Sequence, residues 1–175
     1  MKQKILLWQL MGFAVTSLLG TLLHFLYDLL HGASWVAPLA GVNESTFEHM
    51  KLLFWPMLLF AAVEGFFFRE RGDFLCIKAR GILLGLVLIP VLFYTYNGAI
   101  GQSPDFVNIA IFFLSAAAAY LYEGRLLFRK ETACRRPLAL LLLVTLAALF
   151  VLFTFRPPML GLFRDPLSGN FGIPA

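Results

Sequence analysis

The sequence predicts an all-α integral membrane protein, a bundle of five transmembrane helices with an irregular C-terminal cap. Of its 175 residues, 60% are hydrophobic and 14% are charged, whereas soluble domains average about 45–50% and about 25%. The apolar residues gather in stretches of roughly 20, the length that a helix needs to cross about 30 Å of hydrocarbon. We therefore expect one transmembrane domain over residues 1–175, without a separate soluble domain.

Five apolar runs predict the five membrane-spanning helices. The first follows the short basic segment MKQK, but it is longer than the apolar core of a secretory signal, about 7–15 residues, and no clear small-residue cleavage site follows it. We therefore expect an uncleaved first helix. The predicted spans are, approximately, residues 5–30, 46–68, 74–97, 106–127 and 137–155.

Lysine and arginine residues predict the orientation of the chain, because they are enriched on the cytoplasmic side of membrane helices. They flank the N-terminus and the second and fourth connections, whereas the third connection has none and the first has none before Lys51. This pattern predicts a cytoplasmic N-terminus and an extracytoplasmic C-terminus. It also accounts for the net charge of +4, so we expect membrane lipid and no nucleic acid as a partner. The flanking residues are Lys2, Lys4, Arg69, Arg71, Lys78, Arg80, Arg125, Arg129, Lys130, Arg135 and Arg136.

The two cysteines of the chain, Cys76 and Cys134, fall at the predicted cytoplasmic ends of helices. Thiols stay reduced in that compartment. We therefore expect two unpaired cysteines, and a disulfide or a shared metal is the less favoured alternative.

Residues 156–175 form a C-terminal tail with too many prolines and glycines for a helix. Its segment Asp-Pro-Leu-Ser-Gly, residues 165–169, is typical of a turn. The tail is nevertheless too apolar for a solvated, disordered segment. We expect either an irregular cap that packs over the extracytoplasmic mouth of the bundle or an interfacial strap with no role at a site.

Polar residues gather around the connection between the first two spans, HGASWVAPLAGVNESTFEHMK. Just before and within it, His24, Asp28 and His31 are spaced i, i+4 and i+7, which places them on one stripe of the first helix. An ionisable group at membrane depth is costly, so this stripe should face protein or water rather than lipid.

The start of the second helix brings further polar residues to the same end. Ser45 and Glu48 match a capping box, in which the serine hydroxyl bonds a first-turn amide and the glutamate reaches back to the cap. Because the two helices are antiparallel neighbours, we expect this segment to face the stripe on the first helix. Capping leaves four of its polar residues unexplained: Asn43, Glu44, His49 and Lys51.

Histidine and carboxylate are the ligands that a borderline metal such as zinc or iron takes, often with one position left for water. Without metal, the same groups could form an acid–base pair or a proton relay, or they could only stabilise the bundle. No standard motif such as HExxH is present, so the three interpretations stay open. The candidate metal ligands are His24, His31, Glu44 and His49, the candidate acid–base residues are Glu48, His49 and Asp28, and the other expected pocket residues are Asn43, Lys51, Tyr94 and Asn97.

Glu64 lies too far along the second helix to share this site, about 24 Å from Glu48 at 1.5 Å per residue. We expect Arg69, Arg80 or Arg125 to neutralise it at the cytoplasmic interface. A transport function would instead need Glu64 as an inner waypoint.

Two segments, GVNESTFEHMKLLFWPMLLF and FRPPMLGLFRDPLSGNFGIP, resemble an uncharacterised family of small bacterial multi-pass membrane proteins. In that family Asn-Glu-Ser-x-x-Glu-His opens a helix and a Pro-Pro…Phe-x-Asp-Pro-x-x-Gly tail closes the chain. The resemblance implies a bacterial inner-membrane location and no catalytic assignment. The matching residues are Asn43, Glu44, Ser45, Glu48 and His49, and Pro157, Pro158, Phe163, Asp165, Pro166 and Gly169.

These observations favour an intramembrane enzyme, metal-dependent or acid–base, that acts on a lipid or lipid-linked substrate at the extracytoplasmic side. Its alternatives are a protein that binds or transports a small ligand, an ion or a lipid, and an accessory subunit whose polar cluster only stabilises the bundle. Gly81 and Gly85 form a GxxxG pair, a helix-packing surface for which we favour use within the bundle, with a homo-oligomer as the alternative.

Overall fold

The structure, a computed structural model that describes residues 2–101 and 104–173, is all-α. Each of its five long helices is long and apolar enough to cross a membrane, which confirms the predicted fold class and identifies a multi-pass membrane protein. The orientation across the membrane stays a prediction. The helices are α1 (Lys2–Leu29), α2 (Thr46–Phe67), α3 (Phe74–Ile100), α4 (Asp105–Leu127) and α5 (Arg136–Phe155).

Helix α1 packs against α2 and α4 through a narrow face of small and polar residues. Gly12 lies against the ring of Tyr120 and Gly20 against the ring of Phe112, and a Cβ at either glycine would overlap these rings. Small residues let membrane helices approach closely, which strengthens their van der Waals contacts. The opposite face of α1 presents exposed leucines, as expected where a helix meets lipid.

Helices α2 and α3 form the centre of the bundle. Phe54 and Met57 of α2 and Ile82 and Leu86 of α3 are almost completely buried. The GxxxG pair of α3 is used inside this chain, because Gly85 packs against Leu53 of α2 and Ala119 of α4.

The connection between α1 and α2 folds back over the end of the bundle. Just beyond the end of α1, Gly32 has a φ of +75°, and its N–H donates to the carbonyl oxygen of Tyr27 at 2.9 Å, a common helix-ending arrangement. Further along, the Gly41 N–H donates to the Leu23 carbonyl oxygen at 3.1 Å, and Trp55 Nε1 donates to the Pro38 carbonyl oxygen at 2.9 Å. The connection is therefore fixed to both helices that it joins.

The described part of the tail, residues 156–173, packs at the same end of the bundle. Its 3₁₀ turn, Gly161–Phe163, buries Phe163, whose ring centroid is 4.6 Å from that of Phe47 on α2. Asp165 accepts hydrogen bonds from the backbone of Leu167 and Ser168, which forms the expected turn. The last two residues of the predicted tail lie outside the described residues.

At the opposite end, the α2–α3 and α4–α5 connections meet. A disulfide joins Cys76, in the first turn of α3, to Cys134 of the α4–α5 connection, with a Cα–Cα distance of 5.6 Å. The expectation of two unpaired thiols is therefore wrong, because the α4–α5 connection folds over the start of α3 and brings the two side chains together. The predicted orientation places this end in the cytoplasm, where disulfides are rare. The charge pattern thus places this end of the bundle in the cytoplasm, whereas the disulfide favours an oxidising compartment on the other side of the membrane.

Asp73 also joins these two connections. Its carboxylate accepts two hydrogen bonds from the Arg71 guanidinium, both at 2.9 Å, and one from the Thr132 N–H at 2.8 Å. Burial acts to raise the pKa of Asp73, but the Arg71 guanidinium and the Thr132 amide outweigh it and hold this pKa below its usual value of 3.8.

We expect Asp73→Asn to lower the free energy of unfolding by about 1–3 kcal/mol, because it removes the charge from a buried, bidentate ion pair. Thermal unfolding in detergent measures the loss, and Glu70→Gln, at an exposed glutamate of the same connection, is the matched control that should leave stability unchanged.

The contribution of Asp73 should also depend on pH in one direction. Because its pKa is lower in the folded than in the unfolded state, the stabilisation is fully present above the unfolded pKa near 3.8 and is lost as pH falls through the folded pKa. The stability difference between the native protein and Asp73→Asn should therefore shrink in acid. A difference that grows as pH falls would contradict this assignment.

Candidate functional site

Three of the predicted site residues meet where α1, the α1–α2 connection and α2 come together. His24 Nε2 lies 3.5 Å from Glu44 Oε1, and His49 Nε2 lies 3.5 Å from Glu44 Oε2. The two imidazole rings are 5.7 Å apart between centroids. The three ligand atoms of this group, which we call the His–Glu cluster, all lie within 4.8 Å of one another.

The position of Glu44 is set by its neighbours in the connection. Asn43 Oδ1 accepts a hydrogen bond from the Ser45 N–H at 2.9 Å, and Asn43 Nδ2 donates to the carbonyl oxygen of Gly172 at 2.8 Å. Ser45 is the N-cap of α2, and its hydroxyl accepts from the Glu48 N–H at 3.4 Å. The tail and the helix cap thus hold both ends of the segment that carries Glu44.

The orientation of the His49 ring follows from a hydrogen bond inside α2. His49 Nδ1 lies 3.0 Å from the carbonyl oxygen of Ser45. A carbonyl oxygen can only accept, so Nδ1 carries the hydrogen, and in the neutral ring Nε2 presents its lone pair. That lone pair faces the carboxylate of Glu44. Two electron-rich groups in contact need a proton or a cation between them.

The side chains of the His–Glu cluster are partly exposed. The side chains of His24, His49 and Glu44 are 29%, 20% and 40% exposed, so water and ions can reach them. The cavity beside His49, which α3 and α4 also line, has a volume of about 10 Å³. This volume corresponds to about one water molecule.

Glu48 and Lys51, also predicted for the site, form a separate buried ion pair. Lys51 Nζ lies 2.6 Å from Glu48 Oε2, and both side chains are at most 3% exposed. Lys51 also donates to the Ala37 carbonyl oxygen at 2.7 Å and to Thr154 Oγ1 at 3.0 Å. The expected return bond of Glu48 to the Ser45 cap is absent from the described residues, because Glu48 Oε2 instead accepts from the Val42 N–H at 3.0 Å. The pair therefore joins the connection, α2 and α5.

The structure does not bring the remaining predicted site residues into the His–Glu cluster. Asp28 and His31 are exposed on the last turn of α1 and just beyond it. Tyr94 is 45% exposed on α3, and Asn97 Nδ2 donates to the Phe93 carbonyl oxygen at 2.9 Å within the same helix.

Glu64 has a different partner from the arginines expected in the sequence. Its Oε2 accepts from Lys78 Nζ at 2.8 Å and its Oε1 from Gln9 Nε2 at 2.9 Å, so the expectation of an interfacial arginine is wrong. Lys78 also binds Glu123 of α4. In the sequence, Lys78 resembled one of the cytoplasmic flanking charges, and Glu123 was not among the expected site residues. One feature of the sequence could have indicated this pairing: both residues lie inside a predicted span, about one turn from its end, where a charged side chain needs a partner.

Comparison with known proteins places nearly the whole chain in one family. Residues 1–173 match a family described as "Family of unknown function (DUF6512)". No curated protein and no solved structure matches the chain. The match agrees with the resemblance to an uncharacterised family. That the members of this family share the two motifs stays a prediction.

We expect Lys51→Met to destabilise the protein strongly, by about 3–5 kcal/mol, because it leaves the buried carboxylate of Glu48 without a counter-ion. The double variant Glu48→Gln/Lys51→Met removes both charges and should regain most of this loss. Thermal unfolding in detergent compares the two, with Lys130→Met at an exposed lysine as the control. If the double variant is less stable than the single one, the pair is not the main interaction of Lys51.

Proposed function

The chain belongs to the DUF6512 family of unknown function, and we propose that it is a multi-pass membrane protein that binds a zinc or iron ion through His24, Glu44 and His49. The observation that carries the proposal is the convergence of two imidazole Nε2 atoms on the two oxygens of one carboxylate. Imidazole and carboxylate suit both metals, and two histidines with one glutamate are a known ligand set of zinc sites with an open position.

The hydrogen bond of His49 supports this proposal independently. Metal-binding histidines usually donate their other ring N–H to a carbonyl or carboxylate, which fixes the tautomer and the ring orientation. The bond from Nδ1 of His49 to the Ser45 carbonyl oxygen has this geometry. It keeps the lone pair of Nε2 directed toward Glu44. A cation bound between them would neutralise the charge of the Glu44 carboxylate.

The surroundings of the cluster favour ion binding over the processing of a lipid. The cavity beside His49, which α3 and α4 also line, has about the volume of one water molecule and is too small for an acyl chain. Glu48, the carboxylate nearest to His49 along the chain, is engaged by Lys51 and Val42, so it is not free to act as a base. On the predicted orientation, the metal site lies at the extracytoplasmic face of a bacterial inner membrane.

We expect protein purified in detergent without chelator to contain about one zinc or iron ion per chain, measured by elemental mass spectrometry. His24→Ala, His49→Ala and Glu44→Gln each remove one of the three ligands. Each should weaken zinc binding by more than the roughly 10–100-fold that follows the loss of an outer-shell partner.

His31→Ala is the matched control, because His31 is the remaining histidine of the chain and is exposed outside the cluster. It should bind metal as the native protein does. The unfolding temperature of each variant shows whether it is folded. A native protein that stays metal-free after addition of zinc or ferrous iron, or a loss of metal in His31→Ala alone, would contradict the proposal.

A further inference from the structure

We propose that Glu64, Lys78 and Glu123 form a proton-binding site inside the bundle, and that the proton resides on Glu123. Glu64 comes from α2, Lys78 from α3 and Glu123 from α4, and all three are completely buried, with 0% of each residue exposed. Lys78 Nζ binds one oxygen of each carboxylate. We call these three residues the Glu–Lys–Glu cluster.

The cluster has one negative charge too many. Two carboxylates and one ammonium leave a net charge of −1 in a fully buried region, and burying an unpaired charge is far more costly than protonating it. Of the ion pairs among the described residues, those of Glu64 and Glu123 involve only Lys78. One proton on one carboxylate makes the cluster neutral.

The groups that surround the cluster from the other helices do not supply the missing positive charge. Helix α1 contributes the neutral side chains of Gln9 and Thr16, and the Thr16 hydroxyl bonds the Tyr120 hydroxyl of α4 at 2.7 Å. The Tyr120 ring centroid lies 5.0 Å from Lys78 Nζ. The cations of neighbouring segments bind backbone carbonyl oxygens at the bundle end: Lys4 that of Phe67, Arg71 those of Leu127 and Arg129, Arg80 that of Ala133, and Arg136 that of Gly72.

Hydrogen bonding decides which carboxylate takes the proton. Both oxygens of Glu64 accept a hydrogen bond, from Gln9 and from Lys78, which favours the charged form of Glu64. Oε2 of Glu123 binds Lys78, but its buried Oε1 has no partner among the described residues. The oxygen of the pair that accepts no hydrogen bond is therefore the one that can carry the proton, which is Oε1 of Glu123.

The packing around Glu123 selects a proton over a metal ion. Gly81 of α3 lies directly against the Glu123 carboxyl group, and a Cβ at that position would overlap it. A magnesium ion would need about six oxygen ligands and usually retains several waters. A proton needs no additional space. The site is also separate from the His–Glu cluster, because Glu64 is 15 residues from His49 on α2, about 22 Å at 1.5 Å per residue.

Infrared difference spectroscopy at neutral pH tests this inference, because a protonated carboxyl group has a C=O stretch that a carboxylate lacks and that shifts in D₂O. We expect this band in the native protein and its loss in Glu123→Gln. Glu64→Gln should also lose it, because Glu123 then remains as the one counter-ion of Lys78 and becomes charged. Glu131→Gln, at an exposed glutamate, is the control that should keep the band.

A third variant tests the charge count itself. Lys78→Met removes the ammonium, so both carboxylates should be protonated and the band should grow to about twice its native area. Both glutamine variants preserve side-chain size and remain informative if Lys78→Met does not fold. A native protein without the band, or a band that survives in either Glu123→Gln or Glu64→Gln, would overturn the proposal. The infrared results do not depend on whether the His–Glu cluster binds a metal ion, so the two proposals can fail separately.

Discussion

The hydrocarbon of the membrane offers no hydrogen-bonding partner, and this constraint determines where the polar residues of the protein lie. Each polar group buried there must find its partner within the protein, or the cost is several kcal/mol. Lys51 and Lys78 are both fully buried, and both contact glutamates. Between them the bundle is held by aromatic and aliphatic side chains, and the approach of α1 depends on its glycines.

Helix α2 connects the two polar regions of the molecule. Near its N-terminus, His49 is partly exposed beside Glu44, while Glu48 is turned inward to Lys51. Near its C-terminus, Glu64 is buried among three other helices. The partly exposed histidines suit exchange with the surroundings, whereas the buried carboxylate suits a group that stays with the protein. On the two proposals made above, the same helix carries one accessible and one enclosed site for a cation.

The sequence predicted what depends on local properties and missed what depends on contacts between distant segments. Hydropathy is local, so the five helices could be predicted within a few residues. The meeting of His24 with His49 follows from two antiparallel neighbours and a short connection. In contrast, the bond between Cys76 and Cys134 and the contact of Lys78 with Glu123 depend on how α3, α4 and α5 are rotated and arranged. Hydrophobicity alone does not determine those rotations.

The disulfide makes part of the chain into a closed ring. Residues 76–134 contain almost all of α3 and the whole of α4, so these two helices form a hairpin whose open end is covalently tied. A cut in the backbone anywhere between the two cysteines would leave the pieces linked as one molecule. Gel electrophoresis would then show intact protein without reductant and two fragments with it.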